Sequence, residues 1–471
     1  MNKPLGIILL ALMCLVAKAG SMDEMSRISY PGGKCYLYRV YLSDKKGTSY
    51  TLLHPEAFLS LRALKRRARQ HIIVDSTDLP ISSAYISAIK GKGFQIVNES
   101  KWNNTVVIKT RSVKALNQLT QFSFVRKTLK VFTSPDSIDD RQRSSFHKQI
   151  TSLQHDDKSF YGVAAKQIMS LNGDSLHLAG YMGESMLIAV LDGGFMNVDC
   201  IPVMQLVKIV GAADFVWPPS INIYKEMDHG TMVLSTMAVD MPHVYVGTAP
   251  KASYLLLRSE DERTESLVEE DHWAEAVEYA DSAGVDVINS SLGYHEFDDE
   301  STSHKYCELD GNATLISHTA SMLASKGIIL VNSAGNDGMG SWKKINVPAD
   351  AKNIITVGAI TPEGINSPFS SIGPTADGRV KPDVMAYGSP AVVTGRGTII
   401  NDMGTSFSSP IVAGLVTCLW QAFPELNAYD IISLVIRSSD RYNSPNNIFG
   451  YGIPDFWKAY QMGRKMVNSM Q

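Results

Sequence analysis

The chain lacks most of the features that place a protein in a class at a glance. It has 5 cysteines in 471 residues, too few for a disulfide-built scaffold. None stands in CxxC or close Cys/His spacing, so no zinc site is expected. No apolar run approaches the roughly 18 residues that a membrane span needs. Lys and Arg number 44 against 47 Asp and Glu, a formal net charge of -3. That balance gives nucleic acid or an anionic membrane surface no hold. Internal repeats and low-complexity tracts are also missing. What remains is an ordinary globular composition, long enough for two or three domains and for a core that needs no staples. Function must therefore come from local motifs.

The first motif is at the start. Met1-Asn2-Lys3 is a short positive stretch, Leu5 to Val16 is apolar, and Ala17-Lys18-Ala19 supplies small residues where a signal peptidase reads. This fits a cleaved secretory signal over 1–19, and so export to the periplasm or beyond. Cys14 lies in the apolar run without the small residue that a lipoprotein signal places before its Cys. Cys35, Cys200, Cys307 and Cys418 remain after cleavage, and their three possible pairings stay open.

Residues 20–133 read as a small α+β domain. Tyr36 to Leu42, Phe94 to Val97, Thr105 to Lys109 and Thr128 to Phe132 read as strands. Pro55 to Gln70, Pro80 to Lys90 and Ser112 to Thr120 read as helices. Residues 134–158 are polar and patternless, the signature of an exposed, nickable linker. From 159 to 465 apolar runs alternate with helical stretches. Met186 to Leu191, Tyr254 to Leu257, Val285 to Asn289, Ile328 to Val331 and Ile354 to Val357 suit strands buried on both faces. Glu269 to Ala283 and Leu315 to Lys326 are each followed by Gly, the expected left-handed cap. The fold class is α/β, a doubly wound and mostly parallel sheet, with sites at the carboxyl ends of strands.

Four motifs fall at such boundaries. Asp192 follows the run Met186 to Leu191 and precedes two glycines; alone it is as readily a turn acid. His229 precedes the helical stretch Met232 to Ala238, and an imidazole with a pKa near 6.5 suits a general base. Among 11 histidines, a lone one is more often structural. Ser406, in Gly404-Thr405-Ser406-Phe407-Ser408-Ser409-Pro410, sits where a loop meets a long apolar helix. It is either a helix cap or a nucleophile beside the helix's positive end. Asn336, in Ser333-Ala334-Gly335-Asn336, offers a side-chain donor to a developing oxyanion.

Taken together, in the order Asp, His, Asn, Ser, these motifs resemble the subtilase family of serine peptidases from about Tyr161 to Ala459. The resemblance implies Asp192, His229 and Ser406 as a catalytic triad and Asn336 as the oxyanion donor. Ser291, Leu292 and Gly293 resemble the segment that pairs with an extended substrate, and Ser333, Ala334 and Gly335 would leave room for its side chain. Residues 20–133 resemble a subtilase propeptide. The implied protein is an exported serine endopeptidase and zymogen, expected to be a monomer, whose partners are a peptide substrate and its own propeptide. The alternatives are a peptidase dedicated to one partner substrate and a non-catalytic binder on the same fold. The latter predicts a substituted triad member, and none is substituted. No cofactor is required. The polar stretch 294–314 departs from the family pattern, and Asp298, Asp299, Glu300 or Asp310 could hold calcium. It has no EF-hand pattern, so a solvated acidic loop is the favoured reading.

Overall fold

The computed structural model describes residues 27–139, 159–216 and 222–470. The expected signal segment with Cys14, and 140–158 of the expected linker, lie outside the described residues. Two sheets organise the rest. The first contains β1 (Tyr36–Leu42), β2 (Gln95–Ser100), β3 (Thr105–Thr110) and β4 (Val125–Thr133), all antiparallel in the order β2-β3-β1-β4. Helices α1 (Leu61–Arg69) and α2 (Ser83–Gly91) fill the connection from β1 to β2. The sequence predicts one helix from Pro55 to Gln70. Instead a single 3₁₀ turn, Pro55–Ala57, comes first. The α-helix starts only at Leu61, because the Ser60 side chain accepts the Ala63 N–H at 3.1 Å and caps it. The predicted helix near 112–120 is a 3₁₀ run, Val113–Gln121.

The second sheet has seven strands: β5 (Leu187–Asp192), β6 (Lys208–Asp214), β7 (Ser253–Arg258), β8 (Val287–Ser290), β9 (Ile329–Ser333), β10 (Ile355–Ile360) and β11 (Val384–Tyr387). Every pairing is parallel, in the order β11-β10-β9-β8-β5-β7-β6. The sequence missed β6 and β11. β6 is an edge strand with alternating exposure and a Gly at its centre; β11 is only four residues long. From β5 the chain adds strands on one side, then crosses to β8 on the other. The order reverses between β5 and β8, where ligands bind in such sheets.

Both faces of the parallel sheet are dry over its central strands. Ile188 and Val190 point to a core with Val233, Leu234 and Ile411, contributed by α3 (His229–Ala238) and α6 (Thr405–Ala422). Leu187, Ala189 and Leu191 point the other way, to Trp273, Val277 and Ile316 of α4 (Glu269–Ala283) and α5 (Leu315–Met322). α4 ends at Gly284 with φ 91°, as its sequence predicts. The Leu315–Lys326 stretch is α5 followed by a 3₁₀ turn ending at Gly327.

The first sheet packs on α4 and α5. Along β1 the side chains alternate: Tyr38, Val40 and Leu42 enter its own core, and Leu37 joins the core beneath the parallel sheet. Arg39, on the Leu37 face, is clamped by Asp271 of α4, Nε to Oδ1 and Nη2 to Oδ2 both at 2.7 Å. At the other end of α4, Asp281 takes Arg66 and Arg67, with Arg67 Nη2 at 2.9 Å from Oδ2. Between them Glu278 accepts Ser100 Oγ at 2.6 Å and the Trp102 N–H at 3.0 Å. Part of the expected linker belongs to this unit. Ser137–Asp139 pairs antiparallel with Arg27–Ser29, and Ile138 is buried in the shared core; an apolar anchor at 138 ends any exposed linker there. The carboxyl end also runs past 465, in a helix Phe456–Asn468. Cys35, Cys200, Cys307 and Cys418 are all free thiols, so none of the three pairings is made.

Asp281→Ala would leave the buried Arg66 guanidinium without its ion-pair partner and Arg67 with Asp78 alone, at 2.9 Å. Breaking a buried pair this way costs roughly 3–5 kcal/mol. Urea denaturation of the full chain should show a loss of that order; a change below about 1 kcal/mol would contradict the clamp.

Candidate active site

Asp192 ends β5, fully buried. Its Oδ1 accepts the Gly193 N–H at 2.8 Å. His229, the first residue of α3, brings Nδ1 to 2.9 Å from Oδ1 and 3.0 Å from Oδ2. The approach is close because residue 230 is Gly: a Cβ there would stand 2.3 Å from the Gly194 carbonyl and 2.9 Å from the Asp192 Cβ. The imidazole also packs on Phe407, ring centres 5.8 Å apart.

Ser406 is the second residue of α6, after Thr405, and Gly404 occupies the cap position without a side-chain bond. Ser406 is therefore not the cap. Its N–H is one of the helix-start donors without an intrahelical acceptor. Pro410 lies inside the helix, beyond its first turn, and removes the N–H that would bond the Ser406 carbonyl. That carbonyl instead accepts Ser291 Oγ at 2.7 Å, just past the end of β8. Ser291 Oγ also accepts Asn289 Nδ2 at 3.0 Å, and Ser409 Oγ donates to Asn289 Oδ1 at 2.8 Å. Ser406 Oγ points to the Ser291 carbonyl at 3.4 Å, and no hydrogen bond joins it to His229 in this arrangement.

Asn336 follows β9 after Gly335, whose φ of 107° turns the chain. Its Oδ1 accepts the Thr405 N–H at 2.9 Å and Thr405 Oγ1 at 3.0 Å. This fixes the amide with its NH₂ away from Thr405. His229, Ser291, Leu292, Gly293, Ser333, Gly335, Asn336 and Ser406 line one cleft of about 650 Å³, open solvent included. Ala334 does not. It is fully buried, because the alternation that turns Ser333 and Gly335 toward the cleft sends Ala334 to the core.

Thr405, beside Ser406 in its motif, also lines the cleft, as do Glu260, Glu262, Asp337 and Asn346, to which no sequence motif pointed. Glu260 had a usable signal, since it lies two residues past the carboxyl end of β7. The acids of 294–314 are dispersed. Asp299 pairs with Lys130 at 2.8 Å, Asp310 accepts the N–H groups of Asn312 and Ala313, and Asp298 accepts the Glu265 N–H.

Charge around His229 is one-signed. Burial alone would lower its pKa. The Asp192 charge and hydrogen bond, then Glu260 and Glu262, outweigh burial and raise it from 6.5 to about 9. The side chain keeps 26% of its surface open to water.

Residues 183–452 match the subtilase family, and residues 37–150 match the peptidase S8 propeptide domain of Bacteroidota. The membrane-bound transcription factor site-1 protease of Rattus norvegicus is 30% identical over 322 residues, which are 66% of this chain and 28% of that protein. The chain thus spans little more than a quarter of the length of that relative. Subtilisin DY of Bacillus licheniformis is 28% identical over 290 residues, 60% of this chain and 92% of the relative. Among solved structures, the epidermin leader peptide processing serine protease of Staphylococcus aureus superposes with a TM-score of 0.63 at 17% identity. It covers 91% of this chain and 98% of its own. That likeness carries the fold alone.

The His229 Nδ1 proton should titrate at about 9 in proton NMR of the full chain. Because the folded value is raised, the pair's contribution to stability is present in full below the unfolded value of about 6.5 and lost as pH rises through 9. Asp192→Asn should lower the titration by roughly 1–3 units, and Glu262→Gln by less. An unshifted titration in Asp192→Asn would refute this origin of the shift.

Proposed function

The chain belongs to the subtilase family, and from that premise we propose that it is a serine endopeptidase with Ser406 as nucleophile, His229 as base and Asp192 as the orienting carboxylate. One observation carries the reading: the two-oxygen grip of Asp192 on His229 Nδ1 opens into a cleft that Ser406 and Asn336 share. Ser406 Oγ attacks the peptide carbonyl carbon as His229 Nε2 takes its proton. Turning away from the Ser291 carbonyl, a weak contact at 3.4 Å, costs the hydroxyl little. Resting hydrogen bonds at such sites commonly tighten only when substrate arrives. Asp192 holds the imidazole tautomer and stabilises the imidazolium. The oxyanion is received by the Ser406 N–H at the positive end of α6 and by the Asn336 amide. The C–N bond breaks as His229 returns the proton to the leaving amine. Water, deprotonated by His229, then cleaves the acyl ester.

Ser291, Leu292 and Gly293 bind the substrate backbone as an added strand, with Ser333 and Gly335 beside its side chain. The first region is a propeptide that stays docked on α4 and α5 until the connection near 140–158 is cut. Export rests on the leader-like residues 1–19; no helix among the described residues is long and apolar enough to cross a membrane.

The test is the purified full chain, free of other proteases, with and without Ser406→Ala. Ser406→Ala should keep its first region, cleave no peptide and take no label from a serine-directed phosphonate. Release of the first region at the parent's rate would refute self-processing, and a parent enzyme unlabelled at Ser406 would refute the nucleophile. Asn336→Ala should lower kcat about 10²–10³-fold, the magnitude known for one oxyanion donor in subtilisin, with KM little changed.

A further inference from the structure

α4 starts with three consecutive acids, Glu269, Glu270 and Asp271. Acids in a first turn are ordinarily explained by the helix dipole, and two of these have fixed partners besides. Asp271 holds Arg39. Glu270 accepts His304 Nε2 at 2.8 Å and lies 3.6 Å from Arg39. Glu269 has neither a cation nor a cap. It is 1% exposed, and both carboxylate oxygens lack a hydrogen-bond partner. The Asp261 backbone amide is near enough to favour its charge slightly, but it makes no proper hydrogen bond.

Those orphan oxygens do not point into an apolar core. One carboxylate oxygen each from Glu260, Glu265 and Glu269 lies within 4.8 Å of the others. Among the described residues no Lys, Arg or His forms an ion pair with any of the three. The nearby cations are engaged elsewhere: Arg258 with Asp214, Glu226 and Asp261, Arg263 with Asp261, and His229, whose charge Glu260 feels, with Asp192. The Ser266 hydroxyl, on the same loop, and the Tyr294 hydroxyl are likewise buried without partners. Tyr294 is near enough to feel Glu260, Glu269 and Glu265 together.

We propose that Glu260, Glu265 and Glu269 bind a calcium-class divalent cation beside the substrate cleft. Oxygens on one calcium stand about 2.3–2.6 Å from the ion, so two on opposite sides are about 4.6–5.2 Å apart. The three oxygens, all within 4.8 Å of one another, fit inside that sphere. All the donors are hard oxygens, and three carboxylates can supply up to six of the roughly six to eight that calcium takes. Without an ion, burial and then the Glu265 charge push Glu260 and Glu269 well above the ordinary carboxylate range, while burial, Asp298 and Glu262 push Glu265 to about 7. Glu260 belongs to the cluster and to the cleft wall, so the ion would brace that wall against α4.

Binding to the full chain carrying Ser406→Ala, which keeps its first region, tests this without reference to activity. The protein is stripped with chelator and titrated with calcium by calorimetry, with thermal melting alongside. One saturable site and a raised Tm are expected, with magnesium at the same concentration much weaker. Glu265→Gln with Glu269→Gln should remove both the binding and the calcium-dependent shift. It exchanges buried charge for isosteric amides, so its stripped form should melt no lower than the stripped parent. Glu269→Gln alone is the milder variant and should weaken binding at least tenfold. Undiminished binding in the double variant would overturn the assignment. So would a parent that binds no calcium at millimolar concentration, which would leave the trio to shared protons or to a basic side chain of the substrate.

Discussion

The carboxylate of Asp192, shut away from water at the end of a parallel strand, is the constraint on which the cleft depends. A buried charge without hydrogen-bond partners costs several kcal/mol. Asp192 meets that cost with the Gly193 amide and the His229 ring. His229 must therefore start a helix at one particular place, and residue 230 must lack a side chain for the helix to come so close. The strand fixes the acid, the acid fixes the imidazole, and the imidazole fixes one wall of the cleft. Because β5 lies at the reversal of strand order, the opposite wall comes from β8 and β9, which the chain reaches later.

That opposite wall is set by an interruption. Pro410 in α6 removes one helical hydrogen bond and frees the Ser406 carbonyl. Ser291, at the tip of β8, takes it up. A proline that would ordinarily weaken a helix here ties the helix start to the sheet. The Asn289, Ser291 and Ser409 side chains complete a buried network with each acceptor engaged. Such a network specifies a single position for the backbone of residue 406. The hydroxyl stays free to turn, because its own contact is the weakest of the set.

Much of this was legible in the sequence, for reasons that also explain the rest. Strands buried on both faces must be continuously apolar, so five of the seven declared themselves. The edge strand Lys208–Asp214 has one wet face and a central Gly, and it did not. Asp192, His229, Asn336 and Ser406 stood out because each sits at an element boundary, and because their order is restrictive. Ala334 was misplaced because a run of small residues does not show which of them faces inward. Ile138 was missed because one apolar residue in a polar stretch is no pattern, though it is enough to anchor a strand. Glu260 lay at a legible strand end, but its meeting with Glu265 and Glu269 was illegible for a different reason. Their meeting depends on how the loop after β7 folds back onto the first turn of α4, and no local period encodes that.

The near-zero net charge concealed the most informative property of the chain. Its charges are segregated rather than mixed. Arg39, Arg66 and Arg67 of the first region meet Asp271 and Asp281 on α4, and that helix is acidic along its length. If the acids of α4 served only to receive the first region, each buried one would face a base from it. Asp271 and Asp281 do; Glu278 instead accepts the hydroxyl and backbone amides of a turn from the first region. Glu269 meets neither, although it adjoins Glu270 and Asp271 in sequence. It turns toward the loop above the cleft, where two more glutamates converge. Docking therefore accounts for the body of the helix and leaves its first residue unexplained. A positive charge from outside the chain supplies what the first region does not.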